Sequence, residues 1–247
     1  VCLHRIKAET KVGESIFLYG KKHVHDEIKI FLIPGKDGGR SLMVDAGFRS
    51  RTCLRVMEAE LEKLGITYDR LDIFLTHKHH DHCGLASEYA ARGARLFMNP
   101  QEDRHCYDCL YYNHSHGSTE DQPQVLQSVG VTEDGTPEIW NMFMEVNRRI
   151  RENRGWEFEI PGYPYTPVNE GQILSYGDYD LETVGLKGHT YGQMGLYDRK
   201  HKILFSADQV IDGIVPIVGT TYPDEHLLKG YFDSLERLKH QYGDCLI

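Results

Sequence analysis

The sequence predicts a mixed α/β domain built from layered sheets and helices. Short runs rich in Ile, Leu, Val and Phe recur along the chain, each bounded by Gly, Pro, Asn or Asp. Between several of them lie stretches whose apolar residues repeat at helical spacing. In the first half the two kinds alternate, the order of an α/β layered domain.

Residues 1–48 read as paired strands, with β-rich runs at 15–19, 28–33 and 42–44 and a Pro-Gly turn at 34–39. His23 and His25 fall in the first connection and read as solvated loop residues. Residues 52–64 form an amphipathic helix whose stripe is Leu54, Met57, Leu61 and Leu64, closed by Gly65. A strand follows at 72–76, then a helix at 84–92 and a strand at 94–98.

Composition changes across residues 101–168, which read as an insertion over the mouth of a site. Residues 105–117 are aromatic and polar. Cys106 and Cys109 lack the second cysteine pair of a structural zinc site. Thr136-Pro137 opens a helix with proline in its first position. Its stripe is Ile139, Phe143, Val146 and Ile150, with Trp140 and Met144 off it. Beyond the insertion come a hairpin over 171–190, turning at Gly177 and Asp178, and strands at 194–197 and 202–205. A helix over 224–242 turns Leu227, Leu228, Tyr231, Leu235, Leu238 and Tyr242 inward, leaving His226 and His240 on the surface. Asp244-Cys245-Leu246-Ile247 opens another strand.

The 247 residues suit one domain carrying an insertion. The net charge of −9, from 28 basic and 37 acidic residues, speaks against a nucleic-acid partner. The sequence shows neither a bilayer-spanning apolar run nor a signal-peptide pattern, so membrane association is not expected. Six scattered cysteines point to a reducing compartment, and the cytoplasm is the expected location.

The chemistry concentrates in Thr76-His77-Lys78-His79-His80-Asp81-His82, directly after the apolar run Ile73-Phe74-Leu75. Residues two apart in an extended segment point the same way, so His77 and His79 can reach one ion. Asp81 and His82 then turn away and can serve a second ion, roughly 3.5–4 Å off in two-metal sites. Lys78 and His80 are spacers. Cys83 is either a neighbour of the site or a small buried side chain.

This H-x-H-x-D-H pattern resembles the signature of the metallo-β-lactamase superfamily, and further elements follow in order. Residues 41–47, ending Asp45-Ala46-Gly47, resemble the early strand-and-turn element. Gly188-His189-Thr190 resembles the G-H-T element, and Phe205-Ser206-Ala207-Asp208 the strand ending in a bridging Asp. The resemblance implies a four-layer αβ/βα sandwich. It also implies that His77, His79 and His189 hold one metal, Asp81 and His82 a second, with Asp208 bridging. Asp81 and Asp208 are the catalytic candidates. With no thiolate in the set, zinc is the expected ion, two per full-length chain, with iron and manganese as alternatives.

Such a pair of cations acidifies a water to give hydroxide, which attacks a substrate polarised by one metal. The implied activity is hydrolysis of a small ester, thioester or lactone. His82 stands where the commonest metallo-β-lactamases carry Arg, which favours the glyoxalase-II and lactonase branch. Ile211 stands where lactonases carry a tyrosine, so Tyr107, Tyr111 and Tyr165 are its candidate replacements. Alternatives are a β-lactam or phosphodiester hydrolase on the same site, or a non-catalytic metal-binding or sensing module. The 101–168 stretch is expected to act as a substrate-selecting lid lined by Trp140, Met144, Tyr111 and Tyr112, or as an interface between two copies. The family's last second-site His is expected beyond Ile247, on a chain that reads as cut short, with one tight site and one weak one as the result.

Overall fold

The computed structural model describes residues 4–9, 27–104, 123, 126–127, 130–152, 162–211, 213, 215–218 and 225–247. The strand expected at 15–19, His23, His25, Cys106, Cys109, Tyr107, Tyr111 and Tyr112 lie outside the described residues.

Two sheets carry the architecture. The first holds β1 (His4–Glu9), β2 (Glu27–Ile33), β3 (Ser41–Val44), β4 (Leu71–Phe74), β5 (Arg95–Met98) and β6 (Thr166–Pro167) in that spatial order. Its first three strands are antiparallel and β3 to β6 are parallel. The second is antiparallel, with β7 (Ile173–Tyr176), β8 (Tyr179–Gly185), β9 (Met194–Asp198) and β10 (Ile203–Phe205) ordered β10-β9-β8-β7. The helices are α1 (Arg51–Lys63), α2 (His80–Cys83), α3 (Ala86–Ala91), α4 (Pro137–Glu152) and α5 (Leu227–Tyr242).

Strand alternation sorts the core into layers. Met43, Ile73 and Leu96 face one way and pack with Met57 and Leu61 of α1 and Tyr89 of α3. Leu42, Val44 and Phe74 face the other way and meet Leu181, Met194 and Leu196 of the second sheet. Val184, Leu186 and Leu204 face outward again, against Leu238 and Tyr242 of α5. The result is helix, sheet, sheet, helix, the expected four-layer sandwich. Ser50 caps α1 by accepting from the Cys53 amide at 3.1 Å.

Two expectations are corrected. In α4, Trp140 is buried while Ile139 and Phe143 are exposed, so tertiary packing selects the neighbouring stripe. In α5, Leu228 is exposed and Ser234 is buried. Ser234 donates to the Lys187 carbonyl at 2.7 Å, and Gly230 lies against the Lys187 side chain. A small residue suits that close approach better than leucine. The helix expected at 84–92 is present as α3, and the short α2 from His80 to Cys83 precedes it. At the C-terminal end, Leu246 pairs beside β10 as the expected strand would, its amide 2.8 Å from the Lys202 carbonyl.

Asp72 ties the two sheets together. It is fully buried on β4 and accepts from Arg40 Nε at 2.7 Å, Arg95 Nε at 2.7 Å and the Tyr176 hydroxyl at 2.6 Å. Tyr176 belongs to β7 of the opposite sheet. Burial pushes this carboxyl up, but the hydrogen bonds from Arg95, Tyr176 and Arg40 outweigh it and hold the group below its ordinary 3.8. A lowered folded value gives stability that is present above 3.8 and lost as pH falls through the folded value. Asp72→Asn should therefore be less stable at neutral pH and lose less on acidification below 3.8. Thermal unfolding as a function of pH checks this, and parallel curves for the two proteins would place the acid sensitivity elsewhere.

Candidate metal centre

Four strand ends deliver the candidate residues to one edge of the sandwich. In the first sheet, β3 runs out into Asp45 and β4 into Thr76 and His77. In the second, β8 leads to His189 and β10 to Asp208. The parallel register pairs Val44 with Phe74, which sets the first two ends side by side. The Met194 amide donates to the Thr76 carbonyl at 2.9 Å and joins the sheets at that edge. At Gly188 a Cβ would lie 2.5 Å from the Tyr231 backbone, so only glycine lets the His189 turn approach α5.

His77, His79, His189 and Asp208 bring one donor atom each within 4.8 Å of one another. The hydrogen-bond partners assign the tautomers of two rings. Thr76 Oγ1 gives its proton to Asp45 at 2.9 Å and so accepts from His77 Nδ1 at 3.0 Å. His189 Nδ1 donates to the Ile217 carbonyl at 2.6 Å. Both rings therefore turn a bare Nε2 inward. His79 Nδ1 lies 2.9 Å from His77 Nε2 and 2.7 Å from His189 Nε2. One N–H on His79 cannot satisfy two such lone pairs well, whereas a cation satisfies all three nitrogens. Burial lowers His189 from the usual histidine value, which keeps its Nε2 available. The donor set thus fits a metal ion, with Asp208 Oδ2 at 3.4 Å from His189 Nε2 as a fourth candidate donor.

His82 organises the adjacent position from α2. Its Nδ1 lies 2.8 Å from Asp45 Oδ2, and its Nε2 lies 3.4 Å from Asp81 Oδ2 and 3.3 Å from Asp208 Oδ1. Asp208 therefore stands between the two groups. Burial lowers the His82 pKa, but the Asp81 and Asp45 carboxylates outweigh it and raise the group well above 6.5. Positive charge is favoured among three carboxylates, which suits a second cation there.

The structure brings all six candidate ligands to this edge, together with two buried carboxylates that sequence reasoning missed. Asp45 accepts from the Thr76 amide at 2.8 Å, from its hydroxyl and from His82. It sits at φ 66, where a short polar side chain is tolerated; the Asp-Ala-Gly turn was its available signal. Glu102 follows β5 and carried no recognisable pattern. Lys78, between two ligand positions, turns its amide to Glu102. Cys83 is buried, and burial pushes its thiol up to about 12, so it is no ready thiolate ligand. The Tyr165 hydroxyl pairs with Asp103. His226 and His240 are exposed, and His240 pairs with Glu236 at 2.6 Å.

The sandwich and its His/Asp edge define a class, and the comparisons agree with it. The profile of the metallo-beta-lactamase superfamily matches residues 29–242, and the chain belongs to that superfamily. Among curated proteins it is similar to the acyl-coenzyme A thioesterase MBLAC2 of Gallus gallus, 41% identical over 78 residues. That match covers 30% of this chain and 27% of the relative, so only about a quarter of the relative's length is spanned. Among solved structures, a metallo-beta-lactamase family protein from Thermus thermophilus superposes with a TM-score of 0.65 at 21% identity, over 96% of this chain and 69% of that one. A further structure of the same fold, solved in a di-iron-bound form, gives a TM-score of 0.53 at 19% identity, over 87% and 82% of the two chains.

Proposed function

We propose that the chain is a metal-dependent hydrolase acting on thioesters, within a wider range of esters and lactones. The convergence of His77, His79 and His189 nitrogens with Asp208 carries the reading. Likeness to the MBLAC2 thioesterase supports the thioester, as does His82 in the place where the commonest metallo-β-lactamases carry Arg. Cations bound there would supply a Lewis acid and a water acidified to near neutrality. The three His would hold the first ion, Asp81 and His82 the second, and Asp208, lying between both groups, would join them. Asp45 keeps the His82 Nδ1 proton engaged, so Nε2 faces inward. Imidazole and carboxylate donors favour zinc, and iron is supported by the di-iron form of the similar structure.

The test is turnover of thioester, ester, lactone, β-lactam and phosphodiester substrates with and without a chelator. Chelator-sensitive thioester hydrolysis is expected. Turnover confined to phosphodiesters, or metal binding with no turnover at all, overturns the proposal.

Among the described residues the first group offers three His and the shared Asp208, against Asp81, His82 and Asp208 for the second. The 247-residue chain should therefore take up one tight equivalent of zinc and a second weaker one. Calorimetric titration of the metal-free chain checks this, and two equally tight sites would contradict it. We further propose that the 101–168 stretch selects the substrate. Both its ends lie beside the metal edge: Glu102 touches the His loops, and Thr166–Pro167 pairs with β5. Shortening residues 105–160 should change substrate preference more than metal content, and unchanged kinetics on every substrate would refute the lid.

A further inference from the structure

Glu102 is fully buried just beyond β5, and it reaches both loops that deliver the first cluster. Its Oε2 accepts from the amide of Lys78, the residue between His77 and His79, at 2.9 Å. Its Oε1 accepts from the Thr190 hydroxyl at 2.7 Å and from the Gly192 amide at 2.7 Å. Thr190 follows His189 directly. One carboxylate thus fastens the backbone of two histidines on the first sheet to that of the third on the second sheet. The fit is close on the other side as well. A Cβ at Gly192 would stand 2.8 Å from the Glu102 amide nitrogen, so the loop lies directly on the short helical turn that carries Glu102.

We infer that Glu102 is a positioning residue for the metal centre: it fixes the distance between the His77/His79 loop and the His189 loop. These three groups are all donors, so the carboxylate matches them where an amide cannot. In Glu102→Gln the one remaining oxygen can serve one loop, and the NH2 group then faces a donor of the other. Glu102→Asp keeps the charge but is one methylene shorter, so it reaches one loop at a time. Both changes loosen the separation of the rings without removing a ligand. Supporting contacts of this kind set metal affinity by about 10–100-fold.

The inference rests on the same centre as the proposed function, and its test reads metal affinity rather than turnover. Zinc affinity is measured by chelator competition on wild type, Glu102→Gln, Glu102→Asp and Thr190→Val, with the visible spectrum of the cobalt-substituted forms recorded beside it. Glu102→Gln should weaken zinc about 10–100-fold and alter the cobalt bands, and Glu102→Asp should fall between it and wild type. Thr190→Val, which removes one donor and keeps the other, should weaken zinc several-fold. It decides the question should Glu102→Gln fail to fold. Folded variants with wild-type affinity and spectrum overturn the inference, even where their unfolding temperature drops. A wild-type chain that binds zinc tightly but hydrolyses nothing leaves this inference standing and removes the proposed function. A wild-type chain that binds neither zinc nor iron removes both.

Discussion

Replacing His189 by alanine should empty the first cluster of its ion and reduce hydrolysis by more than the ~10–100-fold that loss of an outer support costs. The geometry explains why. His77 and His79 come from one loop and cannot surround an ion; His189 arrives from the other sheet, its Nε2 2.7 Å from His79 Nδ1. Its removal leaves two nitrogens and a carboxylate that itself must serve two positions. The fold should survive. Outside the cluster His189 hydrogen-bonds through its side chain to the Ile217 carbonyl, whose residue is largely exposed and can turn to water. The cost to the metal-free chain should be about 1 kcal/mol, the net worth of one such bond. Elemental analysis should show the tight zinc lost while the metal-free unfolding temperature stays near wild type. Unchanged zinc content would remove His189 from the site.

Much of this was legible because ligand chemistry leaves a dense local trace. His77, His79, Asp81 and His82 crowd together directly after a buried strand, and no ordinary loop needs that composition. His189 and Asp208 are isolated residues whose roles came only from the resemblance and from their places after strands. The strands and helices gave only a mixed α/β order, and the layers came from the resemblance, because Leu42-Met43-Val44 is apolar throughout and only the structure shows Met43 in one core and Leu42 and Val44 in the other. Less accessible were choices made by tertiary contact. Ser234 faces inward because its hydroxyl meets the Lys187 carbonyl, and Trp140 displaces the stripe of Ile139 and Phe143. Glu102 left no trace at all. Its meaning lies in three donors far away in sequence, at Lys78, Thr190 and Gly192.

Two substitutions at Asp45 should separate its contribution to folding from its contribution to the metal centre. The backbone there sits at φ 66, which Asn tolerates and Ala does not, at a cost of roughly 1–2 kcal/mol for the strained residue. The carboxylate accepts from the Thr76 amide at 2.8 Å, from the Thr76 hydroxyl at 2.9 Å and from His82 Nδ1 at 2.8 Å. Asp45→Ala leaves a buried amide without its partner and His82 without its anchor. It should cost about 3–5 kcal/mol, the scale for breaking a buried charged contact. Asp45→Asn keeps the backbone and one acceptor oxygen, which stays with the Thr76 amide. Its NH2 group then faces His82 Nδ1. That nitrogen must become the acceptor, and the ring proton moves to Nε2. Nε2 is the atom that faces Asp81 and Asp208, so its lone pair is lost to the second position. Asp45→Asn should therefore fold with only a modest loss, bind the first zinc as wild type, and hold the second at least about 10-fold more weakly. Nitrogen-15 chemical shifts of His82 should report the exchanged tautomer directly. If Asp45→Asn holds both ions as wild type and His82 keeps its proton on Nδ1, Asp45 serves the turn alone.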